Sequence, residues 1–253
     1  MFYQERQKKI LEYIETKPSV SVTELSREFQ VSAVTIRKDL NELSDEGKIE
    51  RTHGGAISLN KSGYEQVEEE KENINIEAKR EIARKAYSLV EEGSTIILDA
   101  GSTTRELARL LLENEIPDVT IITHALNIAW LFQSSGSYQL VIVGGQYRPG
   151  IMSNVGPYAV QMMKGLYADR CFLGINGFTL EEGLTTPNPY EAEMKRIMIS
   201  RSRECYLLSD SRKLGIISMC NVGALTDLYG IVSDDGLPPY LTGQLKDSGV
   251  IVL

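Results

Sequence analysis

Residues 31–43, VSAVTIRKDLNEL, decide the fold together with the basic stretch that follows, KIERTHGGAISL at residues 48–59. Read as a helix, the first stretch has Ser32 as its N-cap and places Ile36, Leu40 and Leu43 at i, i+4 and i+7, one buried stripe. Ala33, Thr35, Arg37, Lys38 and Asn41 then face away from the core. Small, hydroxyl-bearing and cationic side chains near a helix N-terminus suit a major groove. Bases offer acceptors to Arg and Lys, and phosphates accept from hydroxyls and backbone N–H groups. The stretch reads as a DNA-recognition helix.

Its neighbours strengthen that reading. Ser21-Val22-Thr23-Glu24 has the spacing of a capping box and opens a short helix with Leu25 and Phe29 inward; Gln30-Val31 then turns the chain into the recognition helix. Residues 4–17 carry Ile10, Leu11 and Ile14 at helical spacing, and Pro18 ends that helix. Beyond the recognition helix, Gly47 is a C-cap candidate. Ile49 and residues 56–59 read as two short strands around Gly54-Gly55, a hairpin tip presenting Arg51, Thr52 and His53. Three helices and a basic hairpin make a winged helix-turn-helix, expected over residues 1–59.

The run SVTELSREFQVSAVTIRKDLNELSDEGKIERTHGGA, residues 21–56, resembles the DNA-binding domain of the DeoR family of bacterial transcriptional regulators. The carrying signature is V-S-x-x-T-I-R-x-D-L followed by R-x-H-G-G-A, and the resemblance continues through nearly the whole chain. It implies a regulator, a repressor first, that binds double-stranded operator DNA beside a metabolic operon under the control of a small molecule. Residues expected on DNA are Ser32, Thr35, Arg37 and Lys38 from the helix, with Arg51, His53 and Gly54 from the wing.

Composition bounds the alternatives. The chain has 253 residues, 42% of them hydrophobic, enough for a sizeable core in one large domain or two. No stretch approaches the roughly 18 consecutive apolar residues of a membrane span, and MFYQERQKKI lacks an apolar signal core, so a cytoplasmic protein is expected. Cys171, Cys205 and Cys220 are widely spaced in apolar runs, which indicates reduced thiols. With only His53 and His124, nothing has metal-ligand spacing. Net charge is −8, and residues 1–60 hold 9 Lys or Arg against 10 Asp or Glu. That is not the basic domain of a generic nucleic-acid binder. A specific operator binder needs only a local positive face, for which Arg37, Lys38, Lys48 and Arg51 suffice if the acids lie opposite. It also favours two or more protomers per operator, a dimer or a tetramer.

Residues 60–76, NKSGYEQVEEEKENINI, carry the acidic run Glu68-Glu69-Glu70 and read as a solvated linker, partly helical towards Lys79. From residue 77 to 253 the texture is α/β. Strands are expected at 95–99, 119–123, 139–143, 170–174, 205–209, 230–233 and 250–253. Helices are expected at 81–90, 107–112, 125–133, 158–164, 191–202 and 241–248. Apolar strands alternating with helices indicate a mostly parallel sheet covered on both faces, with ligands at the carboxyl ends of the strands. The stretch LDAGSTT puts Asp99 at such an end, then Gly101, Ser102, Thr103 and Thr104 at the start of a helix, where free N–H groups and the helix dipole attract an anion. Thr123-His124, Gly144-Gly145, Asn176-Gly177 and Asp210-Ser211-Arg212-Lys213 also follow apolar runs and should meet on the same rim, with Lys213 as its cation.

This half resembles the DeoR-family sensor domain, which is similar in fold to ribose-5-phosphate isomerase and glucosamine-6-phosphate deaminase. The matching pieces are LDAGSTT, VTIITHALNIA, VIVGG, CFLGINGF, GLTTPNPYEAEMKRIMI and LLSDSRKLG. The resemblance implies a phosphorylated sugar as effector, no cofactor, and Asp99, Gly101, Ser102, Thr103, Thr104, His124, Gly145 and Lys213 as its contacts. The family commonly has Asn where this chain has His124. The alternative is an isomerase- or deaminase-like enzyme with an attached DNA-binding domain. Where the isomerases carry paired aspartates this chain has Leu173 and Asn176, neither of which can act as a base.

Overall fold

The computed structural model divides into two units, Met1–Tyr64 and Glu65–Leu253. It describes residues 3–15, 20–46, 48–52, 54–58, 67–72 and 74–253. The first unit runs α1 (Tyr3–Glu15), β1 (Val20–Ser21), α2 (Val22–Phe29), α3 (Ala33–Asp45), β2 (Ile49–Thr52) and β3 (Gly55–Ser58). Ser21 caps α2 by accepting from Glu24 N at 3.0 Å, and Gln30 ends it in the left-handed region at φ 52°. Ser32 caps α3 in the same way through Thr35 N, at 3.1 Å. Ile10, Ile14, Leu25, Ile36, Leu40 and Leu43 have no exposed surface and form the core, each worth roughly 1.5–3 kcal/mol of burial.

The sequence did not reveal β1. It pairs with β3 to give an antiparallel sheet of order β1-β3-β2. Gly55 is required there, because a Cβ would come within 1.8 Å of Val20 O. Pro18, Gly47, His53 and Leu59 lie outside the described residues.

The second unit opens with α4 (Glu68–Glu72) and α5 (Ile76–Tyr87), followed by β4 (Thr95–Leu98), α6 (Ser102–Glu113), β5 (Thr120–Thr123) and α7 (Leu126–Leu131). Then come β6 (Gln139–Ile142), β7 (Gln146–Arg148), β8 (Ser153–Val155), α8 (Pro157–Lys164), β9 (Ala168–Leu173), β10 (Gly177–Thr179) and β11 (Gly183–Thr186). Last are α9 (Pro189–Ser200), β12 (Ser202–Leu208), β13 (Cys220–Gly223), β14 (Gly230–Val232), α10 (Pro239–Asp247) and β15 (Ile251–Val252).

Seven strands form one sheet of order β15-β14-β12-β9-β4-β5-β6, every pair parallel. Side chains alternate between its faces, and both faces are apolar. Ile96, Leu98, Phe172 and Tyr206 pack with α5, α6 and α7; Ile97, Cys171, Leu173 and Leu207 pack with α8, α9 and α10. After β4 the chain builds outward through β5 and β6. It then returns to β9 and builds the other way, so the strand order reverses between β4 and β9. A crevice at the carboxyl ends of those two strands is where an open parallel sheet receives ligands.

Within residues 60–76, read as a linker partly helical towards Lys79, the solvated reading of the acidic run needs correction at Glu68. Glu68–Glu72 is helical, and the Glu68 side chain is buried in the second unit. Two minor features, the hairpin β7–β8 and the antiparallel sheet β10-β11-β13, carry no clear signal in the sequence. No helix among the described residues is long and apolar enough to cross a membrane.

Candidate functional site

In the first unit, α3 divides its charges by face. Asp39 is 1% exposed and takes a two-pronged bond from Arg6 of α1, Nε to Oδ2 at 2.5 Å and Nη2 to Oδ1 at 2.9 Å. Glu42 accepts from Gln7 Nε2 at 3.0 Å and from the Tyr3 hydroxyl. Two of the three acids of the helix, Asp39 and Glu42, are thus turned to α1, while Asp45 is exposed in its last turn. Ser32, Val34, Arg37, Lys38 and Asn41 are exposed on the other side, with Thr35 half-buried beside them. The face opposite α1 carries Arg37 and Lys38, a local positive surface in a chain of acidic composition.

Arg51 of β2 extends that positive face. Its Nη1 donates to Arg37 O at 3.4 Å, and burial, then the Arg37 charge, pushes its guanidinium below the ordinary value. Lys48, expected to join, pairs with Glu46 at 2.5 Å. Gly54 is exposed at the wing turn, and its carbonyl accepts from Val22 N at 2.6 Å, tying the wing to the start of α2. The wing residue His53 lies outside the described residues. Val34, 73% exposed, was not singled out from sequence. An apolar side chain on a groove-facing surface is suited to a thymine methyl.

In the second unit, Asp99 follows β4 and is wholly buried. Its Oδ1 accepts from Ala100 N at 2.8 Å and lies 3.0 Å from His124 Nε2. Its Oδ2 accepts from Gly174 N at 2.9 Å and from Lys195 Nζ at 2.5 Å. Burial alone would raise this carboxyl, but Lys195 and His124 outweigh burial and hold it at about 2. The Lys195 ammonium, in spite of burial, is raised by Asp99 and Glu191. Lys195 also donates to Gly174 O at 3.0 Å, and His124 Nδ1 lies 2.8 Å from Asn154 O. One carboxylate therefore ties together the ends of β4, β5 and β9 and the middle of α9.

Above this floor lies a pocket lined by residues 100–104 at the start of α6, by Gly174, Ile175 and Asn176 after β9, and by Glu191 and Lys195 of α9. Glu68, Lys71 and Lys213 complete its wall, with Ile151 and Leu208. Gly101 gives α6 no side-chain cap, so the first-turn N–H groups keep their capacity for an anion. Thr104 uses its hydroxyl locally, on Asp99 O at 2.8 Å and Gly101 O at 2.7 Å. Lys213 donates to Ile175 O at 2.7 Å. Lys79 of α5 is lowered to about 8, chiefly by burial and then by the Lys213 charge. Glu191 pairs with Arg148 of β7, while Thr186 at the end of β11 donates to Asn176 Oδ1 at 2.8 Å. The hairpin and the small sheet thus serve as the pocket's outer supports.

Two family descriptions match the chain: residues 6–62 match the DeoR-like helix-turn-helix domain, and residues 74–235 match the DeoR C terminal sensor domain. The chain belongs to the DeoR family. Its relatives include the transcriptional regulator GolR of Listeria innocua, 34% identical over all of this chain and 98% of that protein. Another is the regulator GlpR of Haloferax volcanii, 36% identical over 98% of this chain and 96% of its own. A third is the L-fucose operon activator of Haemophilus influenzae, 32% identical over 98% of each chain. A ribose-5-phosphate isomerase bound to phospho-erythronic acid superposes over 55% of this chain and 54% of its own, with 19% identity and a TM-score of 0.41. At that level of similarity it says nothing about chemistry.

For a DeoR-family sensor the expected contacts divide into two groups. Gly101, Ser102, Thr103, Thr104 and Lys213 line one pocket, as the strand-end reading required. Asp99, His124 and Gly145 do not line it. Asp99 and His124, 0% and 2% exposed, are consumed in the ion cluster beneath it. Gly145 packs where a Cβ would meet Ala159 Cβ at 2.7 Å and Val155 O at 2.8 Å, a packing requirement. The sequence reading passed over Lys195, although the pair Glu191 and Lys195 at i, i+4 places a carboxylate and an ammonium on one face of α9. It passed over Glu68 and Lys71 because an acidic run reads as solvated.

Proposed function

We propose that this DeoR-family regulator represses a carbohydrate-metabolism operon as a cytoplasmic homo-oligomer whose operator affinity is set by a phosphorylated sugar in the second unit. The observation that carries the ligand class is the uncapped start of α6 flanked by Lys71 and Lys213 at the switch point of the sheet. Phosphate oxygens match those donors, while Asn176 and Glu191 offer acceptors and donors suited to sugar hydroxyls. Gly101, Ser102, Thr103, Thr104 and Lys213 then touch the ligand, and Asp99 and His124 hold the floor. On DNA, Ser32, Thr35, Arg37 and Lys38 reach bases and phosphates, with Arg51, His53 and Gly54 on the backbone or minor groove. Ligand preference for one protomer arrangement shifts the population towards or away from the one that fits the operator.

This reading assigns no catalysis. Asp99, the carboxylate best placed by sequence, faces Lys195 and His124. A second reading, activation, is favoured by the Haemophilus relative named as an operon activator. The test is binding to the DNA flanking its own gene, at fixed salt because phosphate contacts make affinity salt-dependent, with and without a panel of sugar phosphates. Specific binding shifted by one of them is expected, with transcription from that promoter rising when the gene is deleted. A fall on deletion would establish activation. Absence of binding together with turnover of a sugar phosphate would overturn the regulator reading in favour of the enzyme.

A further inference from the structure

Glu68 is a carboxylate in an unexpected place. It is 2% exposed and lines the pocket with Lys71, Lys213 and the first turn of α6. Its Oε1 has no hydrogen-bond partner among the described residues. A carboxylate oxygen withdrawn from water without a donor is disfavoured. Accordingly, burial pushes the Glu68 carboxyl up, although Lys71, Arg105, Lys79 and Lys213 each pull it down.

What keeps it there is the docking of α4. One turn further on, Glu72 pairs with Arg105 and, at 2.9 Å, with Arg109 of α6. Lys79 Nζ donates to the Lys71 carbonyl. The backbone of α4 is therefore anchored on both sides, and Glu68 is carried into the pocket by its neighbours' bonds. The surroundings it enters are those that attract an anion: two lysines and a helix N-terminus without a side-chain cap. The chain thus places a carboxyl group of its own inside its own anion site.

We propose that Glu68 is a built-in competitor of the effector: its carboxylate holds the cationic end of the pocket, and a phosphorylated ligand enters by expelling Glu68 and, with it, α4. The inference rests on the reading of this pocket as an anion-binding effector site. Its consequence is mechanical. α4 is the first described helix of the second unit, so releasing it from its place adds flexible chain, with a reach on the order of 15 Å, ahead of α5. A longer tether lowers the effective concentration of one DNA-reading unit at the second half of an operator.

The experiment uses the full chain and inorganic phosphate, titrated calorimetrically at constant ionic strength, on wild type, Glu68→Gln and Lys213→Ala. Hydrogen exchange is followed over residues 67–79 of wild type with and without phosphate. Expected are about tenfold tighter binding for Glu68→Gln, about tenfold weaker binding for Lys213→Ala, and faster exchange over 67–79 in phosphate. Equal or weaker binding by Glu68→Gln, with Lys213→Ala still impaired, would overturn the competitor and leave the anion site standing. Slower exchange over 67–79 in phosphate would overturn it as well, without recourse to any variant. Phosphate binding by none of the proteins would remove the anion site and the competitor together.

Discussion

The N-termini of α3 and α6 are built from the same residue types, Ser and Thr, yet Ser32 caps α3 by accepting from Thr35 N at 3.1 Å whereas Gly101 gives α6 no side-chain cap. At α3 the helix satisfies itself and remains exposed, and under the proposed function recognition falls to the side chains beyond the cap, Arg37 and Lys38. At α6 the cap is withheld and the end is buried, so the backbone itself is available to a partner. The same handful of residue types thus makes a reading surface in one place and a receptor in the other. What differs is which groups are already satisfied.

Under this contrast the buried side depends on its ion cluster most of all. Replacing Lys195 with Met leaves Asp99 buried without its cation and is expected to cost roughly 3–5 kcal/mol in chemical denaturation. A loss below about 1 kcal/mol would show that the floor does not hold the sheet ends together. Next in size is the acid response. The Asp99 carboxyl stands at about 2 in the folded protein against an ordinary 3.8. Because the folded value is the lower one, the contribution is complete above pH ~4 and lost as the pH falls towards 2, about 2 kcal/mol. Stability curves between pH 5 and 2 should show that slope in wild type and not in Lys195→Met.

On the exposed side, losses should appear in binding and not in folding. Arg37→Ala is expected to weaken operator affinity about tenfold, of the order of one good base or phosphate contact, while phosphate titrations stay unchanged. Impairment of both activities in folded protein would break the division of labour between the units. The smallest effect belongs to the cap itself: Ser32→Ala should destabilise the first unit by ~1 kcal/mol, visible as a lower denaturation midpoint. An unchanged midpoint would mean that the bond to Thr35 N adds nothing beyond what water supplies.

Much of this is legible in the sequence because period and punctuation are unambiguous. Ile36, Leu40 and Leu43 fix the buried side of α3, and LDAGSTT marks a turn at a strand end through its local chemistry alone. What escapes is of two kinds. β1 is two residues long, too short for a periodic signal, and exists because Gly55 lets β3 approach Val20. The pairing of Asp99 with Lys195 joins residues far apart in the chain, and nothing local announces it. For the same reason a motif aspartate that looks like a ligand contact proves to be a cross-tie. Glu68 reads as solvated because its burial depends on Glu72, Arg105 and Arg109, a set of pairings completed from another helix.

The Asp99 cross-tie also bears on how such a receptor can be re-engineered or can diverge. Since the strand ends are fastened by buried groups below the pocket, part of its lining carries no share of that cross-tie. Ser102, Lys71 and Glu68 lie in that lining and outside the Asp99 cluster, so exchanging them to suit a different metabolite should leave the scaffold standing. A library confined to those three positions on an intact Asp99–Lys195–His124 base is a route to sensors for new molecules, with the DNA-reading unit left untouched.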